Sequence, residues 1–362
     1  MIRARVRSLD MTLLLSMLLL VLMGTLTLFS ASRGTSQANI WIKQSMWYFL
    51  GFAAMAYVAG QNPRHVFRLS LALYVMGILA LVAVFLIGKK IGGAQRWIVI
   101  GGQTFQPSEL MKWLTLLFVS QRLANRPPEQ VSAWELISTS ALVIFPMLLV
   151  LKQPDLGMAI SFLPILVLIP LLKGLRVKWV ALGLVLVALG SVLAWQKVLK
   201  PYQKQRVLTF LDPSADLQGK GYQINQSRIA IGAGGFFGQG FTTGSQTQLN
   251  FLPVKTTDFV FSVWAEERGF IGVLLALALF GALLTRILEI ARSAKQLAET
   301  NFCVGAACIL GLHLLVNVGM VVGILPNKGM VLPFFSAGGS STLSYFLGLG
   351  VVMAIAHRTK VK

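Results

Sequence analysis

The amino-acid sequence predicts an all-α integral membrane protein with ten transmembrane helices. Three observations predict it: 56% of the 362 residues are hydrophobic, only 12% are charged, and long apolar runs recur through the whole chain. Mean hydropathy is +0.73. At 1.5 Å of rise per residue, each run approaches the roughly 20 residues that a helix needs to cross hydrocarbon.

The runs lie near 11–30, 45–60, 67–88, 107–123, 135–151, 156–172, 177–195, 258–285, 303–325 and 340–356. The first follows MIRARVR and ends in FSASRG, in the manner of a secretory signal, but nine further spans favour a retained anchor. The fourth opens at Pro107, whose fixed φ suits a first helical turn, and carries Glu109 and Lys112 at i, i+3. The sixth follows QPD, which puts Asp155 at a helix start, where a carboxylate favours the dipole. Between the seventh and eighth runs lies a long connection, 196–257, rich in Gly, Gln and Ser, with an amphipathic helix expected near 222–231. Its glycines do not give GxGxxG between a strand and a helix, so no dinucleotide site is expected. The whole of 1–362 is therefore read as one polytopic membrane domain, with 196–257 as a large extracytoplasmic loop within it.

Orientation follows from Lys and Arg asymmetry. With the N-terminus inside, the inner segments hold sixteen basic residues and the short outer loops seven. Both termini then face the cytoplasm. With a net charge of +20, the inner basic residues are explained by this topology and by anionic lipid and the outer ones need another partner; no nucleic-acid partner is expected. Cys303 and Cys308 lie five apart on one run and imply neither a disulfide framework nor a thiolate site. His65, His313 and His357 are scattered, with no metal-binding spacing.

Of twelve acidic residues, Asp10, Glu129, Glu135, Glu289 and Glu299 map to inner segments and Asp212 and Asp216 to the outer loop, and are expected to be solvated. Glu109, Asp155, Asp258, Glu266 and Glu267 map to the outward halves of helices, where ionisable groups are costly and become functional candidates. Glu109 with Lys112 could equally be a self-neutralising pair, and Asp155 a helix-dipole partner. A helix over 258–285 would be about 42 Å long, more than the roughly 30 Å hydrocarbon core, so its first turns should stand in the interface or a wet cavity. Asp258, preceded by Thr256 and Thr257, then lies at the mouth, on one face with Ser262 and Glu266, while Glu267 points nearly opposite. The helix N-terminus favours an ionised carboxylate, suited to accepting a proton. For the deeper glutamates, pairing with Arg268 or a neighbouring helix is expected.

An outward-facing site cannot reach cytosolic nucleotides, so an enzyme there needs a membrane-borne, already activated substrate. A polyprenyl-pyrophosphate sugar fits, with Arg96, Lys112, Lys204 and Arg206 as cations for its leaving group.

Six motifs stand in order: GAQRW (93–97) with FQPSE (105–109), QPDLG (153–157), YQKQRV…DP (202–213), GKGYQINQS (219–227) and TDFVFSVWAEERG (257–269). Together they resemble the shape, elongation, division and sporulation (SEDS) family across nearly the whole chain, and GSQTQLNFLP is closest to its RodA-like branch. The resemblance implies a GT-C-like fold, polymerisation of lipid II into glycan strands, and a class B penicillin-binding transpeptidase as partner within the elongation machinery of the bacterial inner membrane. It places the family's essential aspartate on Asp258 and its earlier motif positions on Arg96, Glu109, Lys112 and Asp155. Val254 and Lys255 depart from the glutamate and basic or polar residue that usually precede TDF, and Asn327, Lys328 and Ala337 from the usual TG and tyrosine. The Gly338–Gly339–Ser340 turn is retained.

The expected mechanism has Asp258 taking the proton of the acceptor sugar's 4-hydroxyl. Arg96 and Arg206 would serve the pyrophosphate, and Glu109, Lys112 and Asp155 would shape the cavity, with Lys204, Ser262 and Ser340 as further substrate contacts. A divalent cation, Mg or Mn, is compatible with the pyrophosphate, though no ligand cluster demands one. Proton-coupled flipping of lipid II and a non-catalytic scaffold role are the rival readings.

Overall fold

The computed structural model describes residues 10–35, 38–91, 93–125, 133–172, 185, 220–252, 254–326 and 329–360. Local sequence explains where its helices begin. Helix α1 (Met11–Ser32) starts where the Asp10 carboxylate accepts from Leu13 N, and α2 (Ile40–Ala59) follows. Asn62 caps α3 (Pro63–Arg68), and α4 (Ser70–Ile87) continues after a break at Leu69. Pro107 opens α5 (Pro107–Ala124), and α6 (Ala133–Lys152) contains Pro146. Asp155 caps α7 (Leu156–Ile160), followed by α8 (Leu163–Leu172). The connection contains α9 (Lys220–Gly234) and α10 (Ser245–Gln248), and the chain ends in α11 (Val260–Ser293), α12 (Leu297–Val321) and α13 (Gly339–Lys360).

Among the described residues, six helices are long and apolar enough to cross a membrane: α1, α4, α6, α11, α12 and α13. Their outward side chains, such as Leu22, Leu79, Leu86 and Leu148, are exposed as they would be to lipid tails. Helices α2 and α5 have 20 and 18 residues but are less apolar; α5 carries Glu109, Lys112 and Arg122. Helix α13 packs on α2 and α5, while α11 packs on α1, α9 and α12, so α5, α11, α12 and α13 surround the polar centre.

Three features differ from the sequence reading. The loop after α4 is a three-stranded antiparallel sheet, β1 (Lys89–Ile91), β2 (Ala94–Ile100) and β3 (Gln103–Phe105), in a chain expected to be all-α. Gly101 and Gly102 have φ of +57° and +78° between the paired Ile100 and Gln103, the signs a two-residue type I′ hairpin demands. The run at 156–172 is two short helices, α7 and α8. Three acidic residues expected in solvent are buried: Asp10 takes two bonds from Arg286 (Nε 2.9 Å, Nη2 2.7 Å), Glu299 pairs with Arg358, and Glu135 is 6% exposed. Asp10 ties α1 to α11 and Glu299 ties α12 to α13, a need that composition does not reveal. The run 177–195, apart from Val185, lies outside the described residues.

Candidate active site

Asp258 does not begin the long helix. Helix α11 starts at Val260 with Phe259 as its N-cap, so the Asp258–Ser262–Glu266 helical face is replaced by a turn over 254–259. Val254 O accepts from Thr257 N (3.2 Å) and Phe259 N (3.4 Å), and Val254 itself has φ +54°, a left-handed conformation that a β-branched side chain rarely adopts. The carbonyls of residues 256 to 258 are all held. Thr256 O accepts from Ala337 N (2.9 Å), Thr257 O from Ser336 Oγ (2.6 Å) and Asp258 O from Asn317 Nδ2 (3.1 Å). The half-buried Asp258 carboxylate faces the segment after α12, such that a methyl group on Gly329 would sit 3.6 Å from Oδ2.

Beneath this turn lies a buried ionic centre. Lys112 Nζ is 2.6 Å from Glu109 Oε2, with side chains 0% and 5% exposed. The same nitrogen is 3.4 Å from His313 Nε2 and from Tyr345 Oη, and 4.5 Å from the centre of the Tyr345 ring. Tyr345 Oη lies 2.9 Å from His313 Nδ1.

A second cluster joins the sheet to α7 and α13. Arg96 Nη1 on β2 is 3.4 Å from Asp155 Oδ2, which also accepts from Gln106 Nε2 (2.7 Å). Asp155 Oδ1 accepts from Met158 N at 3.2 Å. Gln106 N donates to Ser340 Oγ (3.0 Å), so Ser340 closes the cluster. Asp155 is therefore a helix cap and an ion-pair partner together, and the Arg96 side chain keeps 31% of its surface exposed.

Glu266 and Glu267 hold the connection that precedes α11. Glu266 accepts from Gln246 N (2.7 Å), Thr247 N (3.1 Å) and Thr247 Oγ1 (2.6 Å), while Lys255 Nζ donates to Thr247 O (2.6 Å) and Asn250 Oδ1 (2.8 Å). Burial lowers Lys255 below the ordinary lysine range, and nearby Glu266 opposes this. Glu267 accepts from Ser30 on α1 and from Thr242 N (3.1 Å). At Gly269 (φ +63°) α11 breaks, and residues 235–240 fill the gap: Gln239 N and Gly240 N donate to Glu266 O and Glu267 O, and Phe270 N and Ile271 N donate to Gly235 O and Phe236 O. Ser262 is wholly buried, with its hydroxyl 2.7 Å from Ser227 Oγ.

Among the described residues, no group of three or more His, Cys, Asp and Glu could hold a metal ion. A mostly apolar groove of about 400 Å³ opens between α2, α3, α5 and α13, lined by Tyr57, Leu69, Leu114, Trp113 and Val351.

The family model for cell cycle proteins of the FtsW, RodA and SpoVE type matches residues 8–361. The chain belongs to this family. The peptidoglycan glycosyltransferase MrdB of Escherichia coli K12 is 39% identical over 351 residues, 97% of this chain and 94% of that protein. A probable peptidoglycan glycosyltransferase FtsW of Coxiella burnetii is 37% identical, covering 98% and 97%. A chain solved in a peptidoglycan synthase complex, described as structural coordination of polymerization and crosslinking, superposes with a TM-score of 0.86 at 33% identity, covering 98% and 99%. The rod shape determining protein RodA of Thermus thermophilus gives 0.73 at 30% identity, covering 98% of each chain.

In this FtsW/RodA/SpoVE chain the fold gathers the sequence candidates into two clusters, Glu109 with Lys112 and Arg96 with Asp155 and Ser340, with Asp258 on its own anchored turn. Ser262 joins neither. Lys204, Arg206, Asn327 and Lys328 lie outside the described residues. Sequence reasoning missed Gln106, His313, Asn317 and Tyr345. His313 and Asn317 stand four apart on an apolar run, a spacing that puts two polar groups on one helix face and could have drawn attention to them.

Proposed function

We infer that this chain is a peptidoglycan glycosyltransferase that polymerises lipid II into glycan strands at the outer face of the inner membrane during cell elongation. Family membership supplies the reaction class, and the observation that supports Asp258 as its base is the anchored turn. Three successive carbonyls are tied down, which holds a half-buried carboxylate at a fixed place beside Gly329.

Asp258 takes the proton from the acceptor sugar's 4-hydroxyl as that oxygen bonds to the anomeric carbon of the lipid-linked donor. The bond from that carbon to the pyrophosphate oxygen breaks, and undecaprenyl pyrophosphate leaves with the electron pair. General-base help of this kind contributes about 10² to 10⁴ in rate, and alignment of the two lipids contributes more. Arg96, part-exposed beside Asp155, is suited to the pyrophosphate, with Arg206 and Lys204 as further cations. Glu109 and Lys112 shape the cavity floor, and Ser340 fixes Gln106 and so Asp155. A divalent cation would enter with the pyrophosphate as part of the substrate. Ten spans with both termini inside, and docking of a class B penicillin-binding transpeptidase, complete the reading.

Purified protein given fluorescent lipid II tests it. The expected result is a polymer ladder lost in Asp258→Ala and Asp258→Asn. Lipid moved across the bilayer without polymer would indicate a transporter, and neither activity, in the presence of transpeptidase, a scaffold.

A further inference from the structure

Two buried side chains on α12, His313 and Asn317, stand one turn apart and both reach the segment that follows their own helix. Asn317 is wholly buried and gives its Nδ2 hydrogens to two backbone carbonyls, Asp258 O at 3.1 Å and Met330 O at 2.8 Å. One amide thus ties the turn bearing the carboxylate to the segment after α12. His313, also wholly buried, has Nδ1 3.2 Å from Val331 O and Nε2 3.4 Å from Lys112 Nζ. As an ammonium, Lys112 can only donate, so Nε2 accepts and Nδ1 carries the proton, which faces both Val331 O and Tyr345 Oη, the latter at 2.9 Å. Residues 329–331 are therefore fixed from α12 at two successive carbonyls, and the first of the three, Gly329, faces Asp258 Oδ2.

We propose that His313 and Asn317 are positioning residues that set the distance between the Asp258 carboxylate and the Gly329–Val331 segment, and that the Glu109–Lys112 pair acts on the site through His313. This rests on the reading of Asp258 as the base. Neither residue touches substrate. Their effect is on where the proton acceptor stands, and a displacement of about 1 Å in such a group is worth up to about 100-fold in rate. The Glu109–Lys112 pair, with no more than 5% exposure, then needs no direct contact with a sugar to matter.

The test uses the purified full chain with fluorescent lipid II, together with hydrogen exchange. Asn317→Leu removes both donors at similar volume, and His313→Leu removes the donor to Val331 O. Each is expected to lower kcat by about 10-fold to 100-fold with KM within about twofold, the split that displacement of a reacting group produces. Exchange is expected to quicken in peptides covering 254–259 and 329–337 and to stay unchanged in α1 and α4. His313→Gln, which keeps a donor for Val331 O, is expected to recover kcat to within about threefold of the wild-type rate. An unchanged kcat in both leucine variants, a change confined to KM, or exchange quickened through every helix would overturn the proposal. Should Asn317→Leu fail to insert, His313→Leu and His313→Gln decide the matter between them. A full-rate Asp258→Asn sinks the base reading and not the clamp, whose exchange result stands independently.

Discussion

Replacing Lys112 with methionine takes the cation from an ion pair that solvent does not reach. Nζ lies 2.6 Å from Glu109 Oε2 with the lysine side chain 0% exposed, so the carboxylate left behind has neither water nor its partner. Breaking a buried pair from one side costs about 3–5 kcal/mol, and the Lys112 contacts to His313 and Tyr345 are lost with it. For a chain of this size each kcal/mol moves the unfolding midpoint by roughly 2 °C, so a fall of about 6–10 °C is expected. Removing both charges, in Glu109→Leu with Lys112→Met, substitutes packed hydrocarbon for the pair and should restore most of that loss. Tryptophan fluorescence during heating in detergent reads the midpoints, and a lipid II ladder reads activity in the same samples. The double variant should be more stable than the single one and still slowed by about 10-fold or more, because the Lys112 contact to His313 is gone in both. A Lys112→Met protein as stable as wild type, or a double variant no better than the single, would refute this.

Gly238→Ala would place a methyl group 2.2 Å from Glu267 O at a φ of +87°, so a midpoint drop of several degrees is expected, visible in the same melt. Arg286→Ala takes from the Asp10 carboxylate the two bonds that Arg286 gives it and should cost about 3 kcal/mol in stability while leaving the rate per folded molecule unchanged in the ladder assay, since Arg286 lies toward the far end of α11 from Asp258. Burial lowers the Lys255 ammonium below its usual 10.5, so the folded chain binds fewer protons there than the unfolded one. Stability should therefore rise with pH between the lowered value and 10.5, and the midpoint difference between wild type and Lys255→Met should shift in favour of wild type over that window. A pH-independent difference would contradict it.

The membrane spans were legible because burial in lipid needs only a local property, a long apolar run, and α1, α4 and α13 follow their runs closely. Helix α9 was visible too, at Lys220–Gly234 against an expected 222–231. What local pattern could not show were pairings fixed by tertiary packing. Asp10 and Arg286 are 276 residues apart, and Lys112 and His313 are 201 apart. The break in α11 escaped because Gly269 sits in an otherwise helical run, and only the docking of residues 235–240 makes a positive φ there worthwhile. Asp258 could be picked out as a carboxylate beside an apolar helix, but its turn geometry depends on Ser336, Ala337 and Asn317, which lie far along the chain.

The splice at Gly269 constrains the order in which the chain can be assembled. Four peptide groups of α11 find partners in residues 235–240, which leave the ribosome earlier. Hydrocarbon penalises open peptide groups by several kcal/mol each, so α11 can settle at its final depth only after the preceding loop has folded back onto it. Biogenesis of this half of the protein is thus sequential, and a lesion in a loop of glycines and phenylalanines would surface as a failure of insertion before it surfaced as a loss of catalysis.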